Sequence, residues 1–366
     1  MPRYASHLTP DSPRNPFPGL KALERRLDRR LPHQLGSNEG LDMPHNALAT
    51  LLGEETARHA RAYGDADAFG VRTRLGKHLG RAMDELIVDA GADSLIALAL
   101  RACCDTGSTV VTSAGTYPTF RYFAEGQGLV VHEVAYQDRP GVLAPDLVAL
   151  DQAVRETGAV MVYLANPDNP SGAVYTQEEI NTFAQGLPEH CWLLLDEAYY
   201  EFGAEVIDSH PLPNALRLRT FSKAHGLAGL RIGYAIASPE VIQALHTVRI
   251  HYAVSSVALA AAETVLDHDT EVQQHVQDVI DRRTRLATRL ADAGADVMTS
   301  HTNFVALRLP NSDMAENIQR DLLDGGVVVH RPPHPALGHV LRISAVEDAL
   351  MPGRLAPLME RLAAYA

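Results

Sequence analysis

The sequence predicts an α/β protein, with a large domain built on a mostly parallel mixed sheet covered by helices and a smaller α+β domain after it. Three observations predict this fold class. Short Leu-rich or β-branched runs alternate with longer helical stretches from about residue 46 to 265, which is typical of βαβ units. Runs such as Trp192–Leu195 are apolar throughout, as strands covered on both faces are. After Asp267, a charged helical stretch precedes a second group of strand-like runs.

We expect three parts in the chain: an N-terminal arm over residues 1–45, the large domain over 46–265 and the small C-terminal domain over 266–366. The arm is rich in proline from Pro10 to Pro18. Its charged stretch from Leu20 to Arg30 has helical spacing but lacks the apolar periodicity of a core. Because no low-complexity linker separates the two domains, we expect them to share a close interface with the active site in or near it.

The elements can be assigned in chain order. The strand-like runs of the large domain are ELIVDAG, STVVTS, GLVVHEVAY, AVMVYLANP, CWLLLDEAY, ALRLRTFS and IGYAIAS. The small domain begins with a helical segment from Asp269 to Ala293. Its strand-like runs are ADVMTS, NFVALRLP, GVVVHRP and VLRISA, and a last helix follows them.

Composition and charge narrow the possible functions. With 46% hydrophobic and 21% charged residues among 366, the chain is expected to be a soluble globular protein. Its net charge of −13, without a Lys/Arg-rich run, argues against nucleic-acid binding. The three cysteines show neither CxxC spacing nor the even count of a disulfide framework, and no secretory signal or spanning apolar stretch is visible. We therefore expect a cytoplasmic protein that does not associate with membranes.

Three segments combine polar residues with the end of a strand-like run: ANPDNPSG, LLLDEAYYEF and TFSKAHGLAGLR. A lone lysine is usually a surface amine, and an aspartate at a strand end is often a helix cap. Here, however, Asn169, Asp196 and Lys223 follow one another at intervals of 27 residues. Since ligands bind at the carboxyl ends of parallel strands, we expect these residues to meet. Asp196, Tyr199 and Lys223 supply a carboxylate, a phenol and an amine. A pyridinium electron sink would need these as a counter-charge, a hydrogen bond and an amine.

The combination of these three motifs resembles the fold-type I aminotransferases that use pyridoxal 5'-phosphate, and it is most similar to the histidinol-phosphate aminotransferase branch. The similarity runs from about Ser37 to Ser344. It implies a PLP-dependent transaminase (EC 2.6.1 type) of amino-acid biosynthesis. Such an enzyme moves an amino group from an amino acid, or a histidinol-phosphate-like amine, to a 2-oxo acid through a Schiff base on Lys223.

The resemblance also implies a role for each residue around the cofactor ring. Lys223 would form the Schiff base and act as the general base that moves the proton from the substrate α-carbon. Asp196 would pair with the protonated pyridine nitrogen and so keep the ring an electron sink. Asn169 and Tyr199 would donate hydrogen bonds to its phenolate oxygen, and Tyr117 would stack on its face.

The cofactor phosphate needs donors, which small residues at a strand-to-helix turn can provide from the backbone. By resemblance, this phosphate site combines such a turn with hydroxyl and guanidinium groups: Gly91, Ala92, Asp93, Thr220, Ser222 and Arg231. Tyr63 matches a tyrosine that reaches the phosphate from the neighbouring subunit. The resemblance therefore implies a homodimer with shared active sites.

Two residues are implied in substrate binding. Arg342, in the run VLRIS, matches the arginine that binds the substrate α-carboxylate as a bidentate pair. Asn38, in GSNEG, falls on a segment near the substrate in this family.

The match is weaker after the run GVVV. Histidinol-phosphate aminotransferases usually carry an arginine there that helps to hold the substrate phosphate, whereas this chain has His330 followed by Arg331. A shift of one residue along a strand turns a side chain to the other face, so Arg331 is not assumed to replace that arginine. The histidines at 330, 334 and 339 lack a supporting carboxylate pair, so we predict no metal site.

Several alternatives stay open. Decarboxylation of an amino acid such as threonine phosphate, or a cyclisation on a biosynthetic pathway, is compatible with the same residues. A non-catalytic protein that keeps the fold is disfavoured because the set of site residues is intact. A nicotinamide-dependent dehydrogenase is excluded because no GxGxxG follows an early strand.

Overall fold

The computed structural model describes residue 7 and residues 20–51, 55–203 and 208–365. The proline-rich start of the predicted arm, Pro10–Pro18, lies outside the described residues. The strands are, in chain order, β1 (His33–Gln34), β2 (Leu86–Asp89), β3 (Thr109–Ser113), β4 (Val130–Val134), β5 (Gln137–Arg139), β6 (Val142–Ala144), β7 (Met161–Ala165), β8 (Trp192–Asp196), β9 (Ala215–Thr220), β10 (Gly233–Ile236), β11 (Asp296–Met298), β12 (Phe304–Arg308), β13 (Val327–Val328) and β14 (Val340–Ser344).

The α-helices separate these strands along most of the chain, as the alternating sequence pattern predicts. They are α1 (Leu20–Leu27), α2 (Asn46–Leu51), α3 (Thr56–Ala60), α4 (Phe69–Leu79), α5 (Ala92–Cys103), α6 (Pro118–Gly126), α7 (Leu147–Thr157), α8 (Gln177–Gly186), α9 (Pro239–Val248), α10 (Ser256–Asp267), α11 (Asp269–Asp292), α12 (Ser312–Asp324), α13 (Glu347–Leu350) and α14 (Ala356–Tyr365). Short 3₁₀ turns lie at Met83–Glu85, Tyr200–Phe202, Ala228–Leu230 and Pro335–Leu337.

The large sheet contains seven strands in the order β2-β10-β9-β8-β7-β3-β4. The strands from β9 to β4 pair in parallel, and β10 is antiparallel to both of its neighbours. This confirms the predicted α/β fold with a mostly parallel mixed sheet. All seven strand-like runs predicted for the large domain form these strands.

Both faces of the large sheet are covered, which explains why its strands are apolar throughout. Successive residues of β3, β7 and β8 alternate between two clusters, so that Met161 packs on the side of α5, α6 and α9 while Val162 packs on the side of α7 and α8. At the β2 and β10 end, α4 and α10 cover the second face. Because successive residues on a strand are buried on opposite faces of the sheet, these strands have no polar face.

A second, three-stranded antiparallel sheet has the order β11-β12-β14 and lies against α11, α12 and α14. The 24-residue helix α11 matches the charged helical segment predicted from Asp269. The run GVVVHRP does not join this sheet, because β13 pairs in parallel with β1 instead. The predicted domain limits at 45/46 and 265/266 remain a prediction.

The N-terminal arm contains the helix predicted from Leu20, and two buried leucines follow this helix. Leu31 and Leu35 are buried, and Leu35 belongs to the core cluster of the C-terminal part. Leu31 and Leu35 flank the two-residue strand β1, and two isolated leucines produce no periodic apolar pattern in the sequence. The β5–β6 hairpin was not predicted. Within the described ranges, no helix is both long enough and apolar enough to cross a membrane.

Candidate active site

The three polar motifs meet at the carboxyl ends of β7, β8 and β9. Ala165 pairs with Asp196, and Asp196 in turn pairs with Leu218. Because these strands are parallel neighbours, the loops that follow them begin at one edge of the sheet. This is the arrangement predicted from the spacing of the motifs.

Lys223 lies in the loop that follows β9, and its side chain is partly buried. Its Nζ lies 3.4 Å from the carbonyl oxygen of Ser37 and 5.9 Å from the centre of the Tyr199 ring. The N-terminal segment passes so close to this loop that a Cβ at Gly40 would lie 2.6 Å from the Lys223 carbonyl oxygen. Only glycine fits at this crossing, which keeps the segment directly against the lysine loop.

Asp196 is a buried carboxylate at the last position of β8. It accepts hydrogen bonds from the hydroxyl of Tyr163 at 2.7 Å and from the backbone N–H of Ala198 at 3.0 Å. Burial raises the pKa of Asp196 to about 6, against the effect of these two bonds. The sequence did not single out Tyr163, since an inward tyrosine on a buried strand has no local signature.

Tyr199 is held by residues from three distant parts of the chain. The side-chain amide of Asn38 donates to the Tyr199 hydroxyl at 3.1 Å, and Ser344 donates to Asn38 Oδ1 at 2.7 Å. Asn303 donates to the Asn38 carbonyl oxygen at 3.0 Å, and the Phe304 ring packs edge-on against the Tyr199 ring at 5.4 Å. The structure thus brings Asn38 to Tyr199 and shows that Asn303 and Ser344 support Asn38. The predicted contact of Asn38 with substrate stays a prediction.

Arg342 is a buried guanidinium at the centre of β14. It donates to Asn169 Oδ1 and to the carbonyl oxygen of Gly36, the latter at 2.7 Å, and it lies over the ring of Phe304. Its Nε is buried without a hydrogen-bond partner among the described residues. Burial lowers the pKa of Arg342, because its present partners are neutral. A buried cation with neutral partners and a spare donor is suited to binding an anion.

A second positive group lies at the start of α5. Gly91 has a left-handed φ of 87°, and a Cβ there would lie 2.8 Å from Nη2 of Arg231, so glycine leaves room for this guanidinium. Arg231 pairs with Asp93 at 3.4 Å, and Asp93 accepts a hydrogen bond from Tyr117 at 2.9 Å. Burial raises the pKa of the Tyr117 phenol, which therefore stays protonated.

The hydroxyl groups predicted for the phosphate site lie at the end of β9. Thr220 donates to Ser222 at 2.9 Å and accepts from the Ser222 backbone N–H at 3.1 Å. Gly233 on β10 is close to the start of α5, since a Cβ there would lie 3.1 Å from the backbone nitrogen of Ala92. The end of β9 and the first turn of α5 are therefore neighbours, as the predicted phosphate site requires.

Tyr63 lies apart from the residues around Lys223. Its side chain is 86% exposed, and its ring contacts that of Tyr252 at 5.0 Å. Ile250, two residues before Tyr252, is also exposed and lines a surface groove of about 650 Å³ between α5 and α6. In this single chain, Tyr63 is thus a surface residue that contacts Tyr252.

The residues after β13 take different directions. His330 forms an antiparallel backbone bridge with Arg342, and burial lowers the pKa of its imidazole. Arg331 instead pairs with Glu316 at 3.2 Å, and His334 pairs with Glu133 at 3.4 Å. In the part of the chain that the structure describes, no group of three potential metal ligands comes together.

These residues fit pyridoxal 5'-phosphate. The site offers an amine on Lys223, a buried carboxylate on Asp196, an aromatic ring on Tyr117, and a guanidinium beside a helix N-terminus for the phosphate. Their distribution over the carboxyl edge of a doubly covered α/β sheet defines a PLP-dependent enzyme of fold type I.

The chain belongs to the class I and II aminotransferases, because the model of that family matches residues 33–353. It is 32% identical to a histidinol-phosphate aminotransferase of Anaeromyxobacter sp., over 91% of this chain and 90% of that protein. It is 33% identical to an aromatic amino acid aminotransferase of Corynebacterium efficiens, over 83% of this chain and 87% of that protein.

The fold is similar to that of a solved histidinol-phosphate aminotransferase from Sinorhizobium meliloti in complex with pyridoxal 5'-phosphate. The TM-score is 0.90 at 34% identity, and the match covers 99% of both chains. The protein is therefore a pyridoxal-phosphate-dependent transaminase.

Proposed function

We propose that this transaminase takes the amino group of an α-amino acid, or of a related amine, and passes it to a 2-oxo acid at the site around Lys223. The observation that carries this proposal is that two contacting aromatic rings, Tyr199 and Phe304, connect Lys223 to the buried Arg342. Tyr199 lies beside the Lys223 amine, and Phe304 contacts both the Tyr199 ring and Arg342. A donor that binds Arg342 through its carboxylate would hold its amino group on the Lys223 side.

The cofactor, when bound, supplies a carbonyl carbon that takes up the amino group and a pyridine ring that accepts an electron pair from the donor's α-carbon. The chain's own residues supply the rest. Lys223 holds the cofactor covalently and, as a free amine, takes the proton from the α-carbon. Asp196, ionised above a pKa of about 6, stabilises a proton on the ring nitrogen.

The neighbouring residues orient the cofactor. Tyr199 and Asn169 would donate hydrogen bonds to its phenolate oxygen, and Asn38 fixes the Tyr199 hydroxyl. Tyr117 would stack on the ring. Backbone N–H groups at the first turn of α5 and the Arg231 guanidinium would hold the phosphate. The residues proposed to hold the phosphate are Gly91, Ala92, Asp93, Thr220, Ser222 and Arg231.

Two donor classes are supported by the relatives: histidinol phosphate and aromatic amino acids. Either would present its anionic group to Arg342. The test is a single-turnover experiment on the holoenzyme with phenylalanine, histidinol phosphate and threonine phosphate. We expect loss of the visible absorbance of the lysine-bound cofactor and release of one 2-oxo acid or, from histidinol phosphate, one ketone per site, with no reaction in Lys223→Ala. Release of CO₂ instead of a transamination product would overturn the proposal.

The working enzyme is, we propose, a cytoplasmic homodimer with shared active sites. Tyr63, exposed here, would reach the phosphate site of the second copy. The exposed side chains of Ile250 and Tyr252 and the groove beside α5 support this interface, because aromatic and apolar groups are enriched at subunit contacts. Sedimentation of the holoenzyme tests it: a dimer is expected, and a monomer with full activity would contradict shared sites.

A further inference from the structure

Asp168 is a fully buried carboxylate that the proposed reaction does not use. It lies in the NPDNPSG motif directly before Asn169, and its side chain is 0% exposed. Among the described residues, every donor that forms a hydrogen bond to its carboxylate is a neutral group. Burial raises the pKa of Asp168 to about 6, although these hydrogen bonds act in the opposite direction.

Four donor groups converge on this carboxylate. The hydroxyl of Tyr136 lies 3.0 and 3.1 Å from its two oxygens. Ser171 donates to Oδ2 from its backbone N–H at 3.1 Å and from its hydroxyl at 2.7 Å. Thr116 is 3.4 Å from Oδ1 and 3.3 Å from the Asn169 carbonyl oxygen. Both carboxylate oxygens are therefore used.

These contacts connect two parts of the active site, the turn that contains Tyr117 and the Asn169–Arg342 pair. Thr116 immediately precedes Tyr117, which belongs to the cofactor-stacking turn. Asn169, which accepts a hydrogen bond from Arg342, immediately follows Asp168. The backbone closes the same loop, since Asp168 donates to Ala173 at 2.7 Å and Gly172 donates to Asp168 at 3.0 Å. Tyr136 lies between β4 and β5, so its hydrogen bond connects Asp168 to the segment that follows the edge strand of the large sheet.

We propose that Asp168 is a positioning residue: through its hydrogen bonds to Tyr136, Thr116 and Ser171, it sets the spacing between the cofactor-stacking turn and the Asn169–Arg342 pair. This inference rests on the proposed roles of Tyr117, Asn169 and Arg342. Removing the carboxylate frees the NPDNPSG loop from the Tyr117 turn while Lys223 and Asp196 keep their own contacts. The effect should therefore fall on binding more than on the chemical step.

The test compares Asp168→Ala with Asp168→Asn in the holoenzyme. Asn keeps one oxygen for both Ser171 donors, and its amide can donate to the hydroxyls of Tyr136 and Thr116, which rotate to accept. We expect Asp168→Ala to raise KM for the amino donor about tenfold or more, with kcat changed about threefold or less. We expect Asp168→Asn to stay near wild type, which is rescue by the conservative variant.

A readout independent of turnover is the circular dichroism of the bound cofactor, which reports how rigidly its ring is held. Asp168→Ala should weaken this band and Asp168→Asn should keep it. Tyr136→Phe and Thr116→Val cover the case in which Asp168→Ala does not fold; each should raise KM about threefold. If Tyr136→Phe and Thr116→Val both keep the wild-type KM and the wild-type dichroism band, the proposal is wrong. It is also wrong if Asp168→Asn raises KM and weakens the band as much as Asp168→Ala does.

Parallel variants separate this proposal from the function on which it rests. Asn169→Ala and Arg342→Ala should each lower kcat/KM strongly if the proposed substrate site is right. If both keep wild-type activity, the proposed roles of Asn169 and Arg342 are wrong. If both lose activity while folded Asp168→Ala does not, the positioning role of Asp168 is wrong and the proposed function stands.

Discussion

The inner and outer halves of the active site are built differently. The inner group consists of Asp196, Asn169 and Arg342, whose residues are 7% exposed or less and whose hydrogen bonds are made within this chain. The outer group consists of Arg231 and Tyr63, with a half-exposed guanidinium and an 86% exposed tyrosine. One chain thus buries the proposed catalytic part of the site but leaves the proposed phosphate end exposed.

The difference follows from where each group lies. Asp196 ends β8, Asn169 lies in the loop after the neighbouring parallel strand β7, and Arg342 reaches Asn169 from β14 of the C-terminal sheet. Residues of both sheets therefore shield the inner group from water. Arg231 lies beside the first turn of α5, where it pairs with Asp93, and Tyr63 lies in the segment between α3 and α4. Both side chains are exposed to solvent. Low dielectric at the inner group strengthens every electrostatic contact there, whereas solvent weakens those of the outer group. Substitutions should therefore have larger effects at the inner group.

The largest effect is expected for Asp196→Ala. Loss of the buried carboxylate removes the partner of the ring nitrogen, and kcat should fall about 10³-fold, as for other preorganised charges in dry sites. Steady-state kinetics of the holoenzyme measures this. Asp93→Asn, in the half-exposed ion pair, is the matched control and should lose less than about tenfold. A loss below tenfold in Asp196→Ala would remove the contrast between the two groups.

Arg342→Lys should lower kcat/KM for a carboxylate donor about 10²-fold. Lysine keeps the positive charge but lacks the planar guanidinium. It therefore cannot donate to Asn169, to Gly36 and to a substrate carboxylate at the same time. Arg331→Ala is the control, because Arg331 pairs with Glu316, and it should leave kcat/KM unchanged. Equal losses in the two variants would show that the buried arginine has no special role.

Asp196→Asn should stabilise the cofactor-free protein at neutral pH. Burial raises the pKa of Asp196 from 3.8 to about 6, so the folded state binds more protons than the unfolded state between these values. The carboxylate therefore destabilises the fold above pH 6, and this effect disappears as the pH falls towards 4. Denaturant unfolding should show a gain of about 2 kcal/mol at pH 7. An equal gain at pH 4 would contradict a charge effect.

The smallest effect is expected in the outer group. Arg231→Lys should weaken cofactor affinity about tenfold, since one fork contact to the phosphate is lost at a half-exposed position. Equilibrium titration of the cofactor measures it, and thermal unfolding of the cofactor-free protein should not change. A loss of cofactor affinity of about 10³-fold, as large as the kcat loss expected for Asp196→Ala, would mean that a second copy buries Arg231 in solution. The outer group would then be as shielded from water as the inner group.

Much of this could be predicted from local pattern. The seven buried strands follow from apolar runs separated by helical stretches, and the polar ends of β7, β8 and β9 mark the site. The family resemblance then supplied the cofactor and the residues around it. Asn303, Ser344 and Tyr163 were missed, because each supports a site residue from a separate part of the sequence; the bond between Ser344 and Asn38 spans 306 positions. Such pairs leave no local periodicity.

The sequence by itself determined the fold class and the three motifs that contain Asn169, Asp196 and Lys223, whose proposed roles come from the family resemblance. The fold class and the motifs follow from short-range order, since hydrophobic alternation and strand-end motifs extend over only a few residues. Only the tertiary structure decided that β13 pairs with β1, that Arg342 is buried with neutral partners, and that Asp168 connects two parts of the site. These features depend on which segments, distant in sequence, pack against one another and bury polar side chains between them. Such packing exists only in the folded chain.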